Sequence, residues 1–224
     1  MTPARALLLV GSAKPSGTST SESLGRYLFD RLAQRGLVTM TLTVDRSVRG
    51  IDRRLLTAVA DTDLLVLATP LYVDSFPALV IRTLEAIAAD RQRAPAPPCG
   101  FSTIVNCGFP EASQCDLALA MGRLFARQAD FYWKGGLALG EGGVIDGKAL
   151  ETFGGLTKHV RAALDVAADA LANGQPIPAD AMTRMARRLL PSRLYTLAAS
   201  IDWRRQALKN GVAQRQLRAR PFQM

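Results

Sequence analysis

A run of hydroxyl side chains follows the first apolar segment of the chain. Residues 6–10 are apolar and stop at Gly11, and a helical pattern begins about ten residues later. The residues between them that carry a hydroxyl or a positive charge are Ser12, Lys14, Ser16, Thr18, Ser19, Thr20 and Ser21. Free N–H groups and the helix dipole point at anions from a helix N-terminus, so this loop suits a phosphate monoester. The alternative is a polar loop in which one hydroxyl merely caps the helix, because the loop matches neither GxxxxGK[ST] nor GxGxxG.

Two more loops with unusual chemistry follow apolar segments. The second spans residues 69–77 (TPLYVDSFP), and the third spans residues 106–111 (NCGFPE). In the second loop Tyr72 could stack on a flat ring, or it could be an ordinary surface aromatic. Asp74 is expected to cap the next helix rather than contact a ligand.

Strand and helix patterns alternate along the chain. Buried strands are predicted at residues 6–10 and 63–68, further strands at 101–105 and 132–139, and the Thr alternation at 38–44 predicts an edge strand. The first predicted helix follows the hydroxyl-rich loop and ends at Gly36, and the next two span 51–60 and 78–89. A fourth helix runs from Ser113, its cap, to 129. A fifth follows the loop 140–147 and extends as far as 172. This spacing predicts βαβ units and a doubly wound parallel sheet. If the strand order is 2-1-3-4-5, the three loops meet at one sheet edge, where such sheets bind ligands.

The charge is concentrated at the end of the chain. The 224 residues carry a net charge of +9, but ten basic residues and only Asp180 and Asp202 lie from Pro176 onward. We therefore predict an α/β domain over residues 1–175 and a basic helical C-terminal extension over 176–224, with helices starting at Asp180 as cap and spanning 192–210.

Three uses of the extension compete. Packing on its own domain or on a second subunit, in a homodimer or homotetramer, is favoured. Contact with an anionic membrane surface and attraction of an anionic cosubstrate are alternatives. Nothing in the extension resembles a nucleic-acid recognition module, so no nucleic acid is expected as partner.

The spacing of the cysteines and the hydropathy of the chain bear on disulfides, metal binding and membrane insertion. Cys99, Cys107 and Cys115 have neither disulfide-framework nor metal-ligand spacing, which predicts free thiols, no metal and a cytoplasmic protein. No apolar stretch reaches the roughly 18 residues needed to span a bilayer. His159, the single histidine, lies inside a helical pattern and is assigned no catalytic role.

The segments GSAKPSGTSTSESL and TPLYVDSFPALVIRTLE resemble the flavodoxin-like NAD(P)H-dependent FMN reductases and quinone reductases, over about residues 6–172. The resemblance implies a flavodoxin-like five-stranded sheet that binds FMN at the C-terminal ends of its strands. The cofactor-binding residues that it implies are Ser12, Lys14, Ser16, Thr18, Ser19, Thr20 and Ser21 around the phosphate; Pro70, Leu71, Tyr72 and Val73 beside the ring; and Asn106, Cys107, Gly108 and Phe109 in the third loop.

The resemblance also implies an activity. Such a protein takes hydride from NADPH or NADH and passes electrons to a quinone or a similar small acceptor, with the chemistry on the flavin and no catalytic side chain. The substrates are expected between Tyr72, Phe76, Phe109 and a neighbouring subunit. A one-electron carrier of the flavodoxin type and a flavodoxin-like binding module without FMN are the alternatives. Cys107 is expected to be a small half-buried residue rather than a reactive thiol.

Overall fold

The structure, a computed structural model, describes residues 3–44, 53–93 and 97–219. Five strands form one sheet, and their bounds are β1 Arg5–Val10, β2 Val38–Thr43, β3 Leu64–Pro70, β4 Gly100–Asn106 and β5 Tyr132–Leu139. The bounds of the helices are α1 Thr20–Gln34, α2 Arg53–Ala60, α3 Ala78–Arg91, α4 Asp116–Gln128, α5 Lys158–Ala172, α6 Ala179–Met185 and α7 Ser192–Lys209.

The sheet is parallel, and its strand order is β2-β1-β3-β4-β5. This confirms the predicted doubly wound flavodoxin-like order, including the placement of the threonine-rich strand at an edge. Both neighbours of β1 hydrogen-bond along its length, and every residue of this strand after Arg5 is buried, as its unbroken apolar sequence predicts.

Helices cover both faces of the sheet and divide the core into two clusters. One face packs α1, α5 and α6 on strand side chains such as Leu8, Val66 and Leu137. The other face packs α2, α3 and α4 on strand side chains such as Leu9, Leu67 and Phe101. Alternate side chains of one strand enter opposite clusters, because a β-strand has a period of two. The sheet is therefore a rigid platform for the loops that leave its C-terminal edge.

Three helix starts differ from the predictions. Ser113 does not cap α4, because it lies in a short 3₁₀ turn over Ala112–Cys115 that precedes the helix. Asp180 lies inside the first turn of α6, whose N-cap is Pro178. The helix predicted soon after residue 147 begins only at Lys158, because a 3₁₀ turn over Leu150–Phe153 and Gly154 come first. Residues 51 and 52, at the start of the predicted helix 51–60, lie outside the described residues.

The chain divides into two compact units, residues 1–189 and 190–224. The first 14 residues of the extension predicted from residue 176 belong to the first unit, where Ile177, Ala181, Met185 and Leu189 are buried in the cluster with α1 and α5. The second unit contains α7 and a 3₁₀ turn over Gln214–Arg218. None of the helices in the described part of the chain has the length and apolarity needed to cross a bilayer.

Candidate functional site

Main-chain hydrogen bonds hold the starts of the three candidate loops at one edge of the sheet. The N–H of Gly11 donates to the carbonyl oxygen of Ala68 at 2.8 Å, and the N–H of Leu71 donates to that of Asn106, also at 2.8 Å. The N–H of Cys107 donates to the carbonyl oxygen of Leu139 at 3.0 Å. The loops after β1, β3 and β4 therefore leave adjacent strands, as the strand order requires.

Side chains of the first loop tie it to the third loop and to the loop after β5. The Ser21 hydroxyl donates to Oδ1 of Asn106 at 2.6 Å, and the Thr20 hydroxyl donates to the carbonyl oxygen of Gly142 at 2.7 Å. Gly147 has a φ of +81°, and a Cβ there would lie 2.5 Å from the main chain of Thr18. Only glycine permits this approach, so the loop 140–147 packs directly on the first loop.

The N-terminus of α1 carries a buried carboxylate, that of Glu22. The N-cap is Ser19, whose side chain accepts a hydrogen bond from the N–H of Glu22 at 3.2 Å. The Glu22 side chain is buried, and it accepts from the N–H of Gly17 at 2.5 Å and from the hydroxyl of Ser16 at 2.9 Å. The Ser19–Glu22 spacing is that of a capping box, which predicts the bond from the Glu22 N–H to Ser19, whereas the Glu22 carboxylate binds Gly17 and Ser16 instead of the Ser19 N–H.

The hydroxyl protons of the first loop are mostly committed within the protein, because a hydroxyl has only one proton to donate. Besides Thr20 and Ser21, the hydroxyl of Ser16 donates to Glu22, and that of Thr18 donates to the carbonyl oxygen of Pro15 at 2.6 Å. The two remaining hydroxyls, of Ser12 and Ser19, act as acceptors in their only hydrogen bonds between described residues. Their protons can therefore be donated to a ligand.

Charges around the first loop are balanced by ion pairs. Nζ of Lys14 lies 2.8 Å from Oδ1 of Asp146, and the Arg26 guanidinium lies 2.6 Å from Oε1 of Glu22. The Lys14 pair is exposed, so it contributes little to stability and can open for a ligand. An anion at this helix terminus would thus be held mainly by neutral donors and the helix dipole.

The second loop contains a tight turn in an unusual conformation. Tyr72 and Ser75 exchange main-chain hydrogen bonds across Val73 and Asp74, whose φ angles are +49° and +58°. Asp74 therefore does not cap α3, whose N-cap position is Pro77. Positive φ is a costly conformation for a β-branched residue. The Val73 side chain is 97% exposed, so no packing within the chain explains the strain.

Apolar side chains of two loops are exposed at this edge, but one predicted member is not among them. Tyr72 and Phe109 are each about half exposed, at 48% and 53%. Phe76 is buried in the cluster with α3 and α4. The prediction that Phe76 lines a substrate face is therefore wrong, since its side chain is buried in this cluster.

The Cys107 thiol faces the protein interior. Its Sγ lies 3.6 Å from the carbonyl oxygen of Glu111, and its side chain is buried. A hydrogen bond with Cys115 lowers the pKa of Cys107 to about 7, and the same bond, with burial, raises the pKa of Cys115. None of the three cysteines forms a disulfide. The main-chain N–H and the thiol of Cys107 are thus both engaged within the chain.

The end of the first unit is attached beside these loops. Glu141 is buried with a φ of +56°, and its Oε2 accepts from the N–H of Leu189 at 2.6 Å. The Arg188 guanidinium donates to Oε1 of Glu111 at 2.9 Å. Neither contact was foreseen, because each joins positions that are far apart in the sequence.

Comparison with known proteins gives a fold but no family. No protein-family model and no curated protein matches the sequence. Solved structures do match, with sequence identities that show the fold alone. One is RosB with the bound intermediate 8-demethyl-8-formylriboflavin-5'-phosphate, at 14% identity and a TM-score of 0.57, covering 89% of this chain and 87% of that one.

Two further structures extend the comparison. An azoreductase from Bacillus anthracis str. Sterne is 12% identical with a TM-score of 0.51, and the match covers 76% of this chain and 99% of that one. The rubredoxin oxygen:oxidoreductase from Desulfovibrio gigas is 11% identical with a TM-score of 0.54, covering 77% of this chain but only 36% of that longer one. The chain has the flavodoxin-like fold, and oxidoreductases are among its structural neighbours.

Proposed function

We propose that the protein is an FMN-dependent oxidoreductase that takes hydride from NADPH or NADH and passes electrons to a quinone or a similar small acceptor. The observation that carries the proposal is the junction of the first three loops at the C-terminal sheet edge. At this edge the N-terminus of α1 has N–H and hydroxyl donors that are not used within the protein. Hydrogen bonds of Asn106 connect it to the second loop, whose exposed turn at Tyr72 and Val73 has a strained main chain. A phosphorylated, flat, apolar ring system matches both parts.

The first loop fits a phosphate monoester. The N–H groups of Thr20 and Ser21 begin α1 and have no carbonyl partner within the helix. The hydroxyl protons of Ser12 and Ser19 add two donors. The side chain of Lys14, a residue of this loop, is paired with Asp146 and supplies a screened positive charge. We therefore assign the phosphate to Ser12, Ser19 and these two N–H groups, whereas the hydroxyls of Ser16 and Thr18 donate within the protein.

The second loop fits the ring. Pro70 ends β3, Leu71 is hydrogen-bonded to the third loop, and Tyr72 and Val73 present apolar surface to solvent. Strain of the kind seen at Val73 persists at sites where a ligand or reaction uses it. We assign the ring to this turn, with Phe109 as the aromatic side chain of the third loop.

The protein residues position the reaction rather than perform it. FMN, when bound, supplies the hydride-accepting and electron-donating chemistry. Ser21 fixes the Asn106 side chain, and Glu141 with Gly142 fixes the main chain of Cys107 and Phe109 through hydrogen bonds of 2.8 Å and 2.7 Å. The names of two neighbours support the class, since one is an azoreductase and the other an oxygen:oxidoreductase. RosB is named with a phosphorylated flavin bound.

Anaerobic reduction of the purified protein tests the proposal. The protein is saturated with FMN, freed of excess by gel filtration, and mixed with NADPH or NADH while the visible flavin absorbance is followed. We expect the bound flavin to bleach without a partner protein, and a quinone to restore the colour. If no FMN stays bound, the proposal fails.

The same experiment distinguishes the proposed reductase from a second candidate function, that of an electron carrier. A one-electron carrier of the flavodoxin type would retain FMN but bleach only after a separate reductase is added. The nearly neutral charge of residues 1–175 favours the reductase, because carriers that dock on basic partners are acidic.

A further inference from the structure

The helix α7 carries a narrow apolar stripe on its surface. Leu194, Leu197, Ile201 and Leu208 are spaced by three, four and seven residues, and at about 100° per residue they fall within an arc of about 60°. Their side chains are 57%, 59%, 41% and 66% exposed. Helix α7 has no buried residue in the structure. This stripe, here called the α7 stripe, is therefore open to a partner.

Basic side chains flank the α7 stripe on both sides. The same helical geometry places Arg193 and Arg204 along one border and Arg205 and Lys209 along the other. The whole segment 190–224 contains seven basic residues and a single acid, Asp202. Asp202 accepts a hydrogen bond from the side chain of Gln206 at 2.7 Å. The surface that covers the stripe must therefore be both apolar and anionic.

A second copy of the helix does not meet this requirement. Pairing two α7 stripes would bring the basic borders of both helices together, where like charges repel. A nucleic acid would satisfy the arginines but would leave the leucines facing a charged phosphate backbone. An anionic lipid surface satisfies both, because apolar side chains enter the acyl boundary while arginine and lysine meet the headgroups.

We propose that α7 lies on anionic membrane surfaces through the α7 stripe and its basic borders. The contact is interfacial and reversible, since neither the stripe nor the charge suits a spanning helix. This proposal does not depend on flavin binding, and it replaces subunit packing as the expected role of this part of the extension.

Co-sedimentation of the full-length protein with vesicles tests the proposal. The vesicles contain phosphatidylcholine alone or with about 30% phosphatidylserine. We expect at least about tenfold more protein on the anionic vesicles, released by high salt. The double variant Leu197→Gln/Ile201→Gln and the double variant Arg204→Gln/Arg205→Gln should each lose most of this binding, while circular dichroism shows an unchanged fold.

Two control variants make comparable substitutions outside α7, in the first unit. Arg82→Gln/Arg93→Gln removes the same charge from exposed positions of the first unit, and Leu117→Gln removes an exposed leucine of α4. Both controls should bind as the wild type does. Equal recovery of wild type from the two kinds of vesicle would overturn the proposal, as would equal losses in the α7 variants and the controls. A dimer that the Leu197→Gln/Ile201→Gln variant dissociates, without vesicle binding, would assign the stripe to a second copy instead.

Discussion

The N–H of Gly17 donates to Oε2 of Glu22 at 2.5 Å, so the hydroxyl-rich loop is folded onto a carboxylate of the helix that follows it. Glu22 also accepts from Ser16 and pairs with Arg26, and only 3% of its surface is exposed. The contact fixes residues 16 and 17 and leaves Ser12 and Ser19 as the hydroxyls with protons to donate. Glu22 is thus a positioning residue for the proposed phosphate site.

Replacing Glu22 by alanine should destabilise the fold and loosen the phosphate site. Hydrogen bonds to a charged group are worth about 1.5–3 kcal/mol each, so we expect a loss of about 2 kcal/mol in the free energy of unfolding, measured with urea. FMN affinity should fall about tenfold, whereas riboflavin affinity, which involves no phosphate, should change less than about twofold.

The matched control for Glu22 is Asp30→Ala, which removes an exposed acid from the same helix. It should change the free energy of unfolding by no more than about 0.5 kcal/mol and leave both affinities unchanged. Tighter FMN binding by the Glu22→Ala variant would contradict the positioning role, because it would mean that the carboxylate mainly repels the phosphate.

Relief of the strain at Val73 should stabilise the protein. Asparagine adopts positive φ more easily than a β-branched residue, so Val73→Asn should raise the free energy of unfolding by about 1 kcal/mol. The nearby control Val80→Asn introduces the same side chain at a buried position in α3 and should destabilise strongly. A Val73→Asn variant that is less stable than wild type would show that the valine side chain has a packing role that its 97% exposure hides.

The thiol pair should titrate in a characteristic way. The Cys115 hydrogen bond lowers the pKa of Cys107 to about 7 from an ordinary 9.0, so thiolate absorbance in the ultraviolet should rise near pH 7. In Cys115→Ala this rise should move to higher pH, because the thiolate loses its donor. Cys99→Ala is the control, since burial raises the pKa of Cys99 to about 11 and keeps it protonated.

The same pair gives a stability prediction with a definite sign. Between pH 7 and pH 9 the unfolded chain binds more protons at Cys107 than the folded chain does, so this thiol makes the free energy of unfolding rise with pH across that window. Between pH 7 and pH 8, where an unfolded thiol with the ordinary pKa of 9.0 is still largely protonated, the rise should be smaller in Cys115→Ala. An unchanged slope in that variant would contradict the assigned hydrogen bond.

Two truncations should behave differently. Removing residues 190–224 leaves the first unit complete, and its melting temperature should remain within a few degrees of that of the full chain. Removing residues 176–224 also deletes the buried Ile177, Met185 and Leu189. At about 1.5–3 kcal/mol per buried apolar side chain, this loss approaches the whole stability of a domain, and the product should aggregate or melt early. Equal melting temperatures for the two truncations would contradict the boundary at residue 189.

The fold could be predicted from the sequence because the strands have a clear hydrophobic pattern. The apolar β1 and the threonine alternation of β2 have unambiguous periods, and right-handed crossovers restrict the topology. Helix starts were less predictable. Ser113 and Asp180 are good capping residues by type, yet the 3₁₀ turn before α4 and Pro178 before α6 set the actual starts.

The candidate site was predicted in outline but not in its contacts. The three loops could be located because each follows a strand, whereas the partner of each hydroxyl depends on the tertiary fold. Ser21 meets Asn106 and Thr20 meets Gly142, pairs that no spacing reveals. Only the Ser19–Glu22 spacing, which is that of a capping box, is readable from the sequence, and it predicts the bond from the Glu22 N–H to Ser19 but not the one from the Gly17 N–H to Glu22.

Flavin binding by the wild type and by two single hydroxyl variants is the most direct test of the central claim. FMN and riboflavin are titrated into the protein, and binding is followed by flavin fluorescence. Wild type should bind FMN about a hundredfold more tightly than riboflavin, and Ser12→Ala should lose about tenfold of this preference. Thr18→Ala should keep the preference, because its hydroxyl already donates to Pro15. Equal affinity of wild type for FMN and riboflavin, or no affinity for either, would contradict the claim.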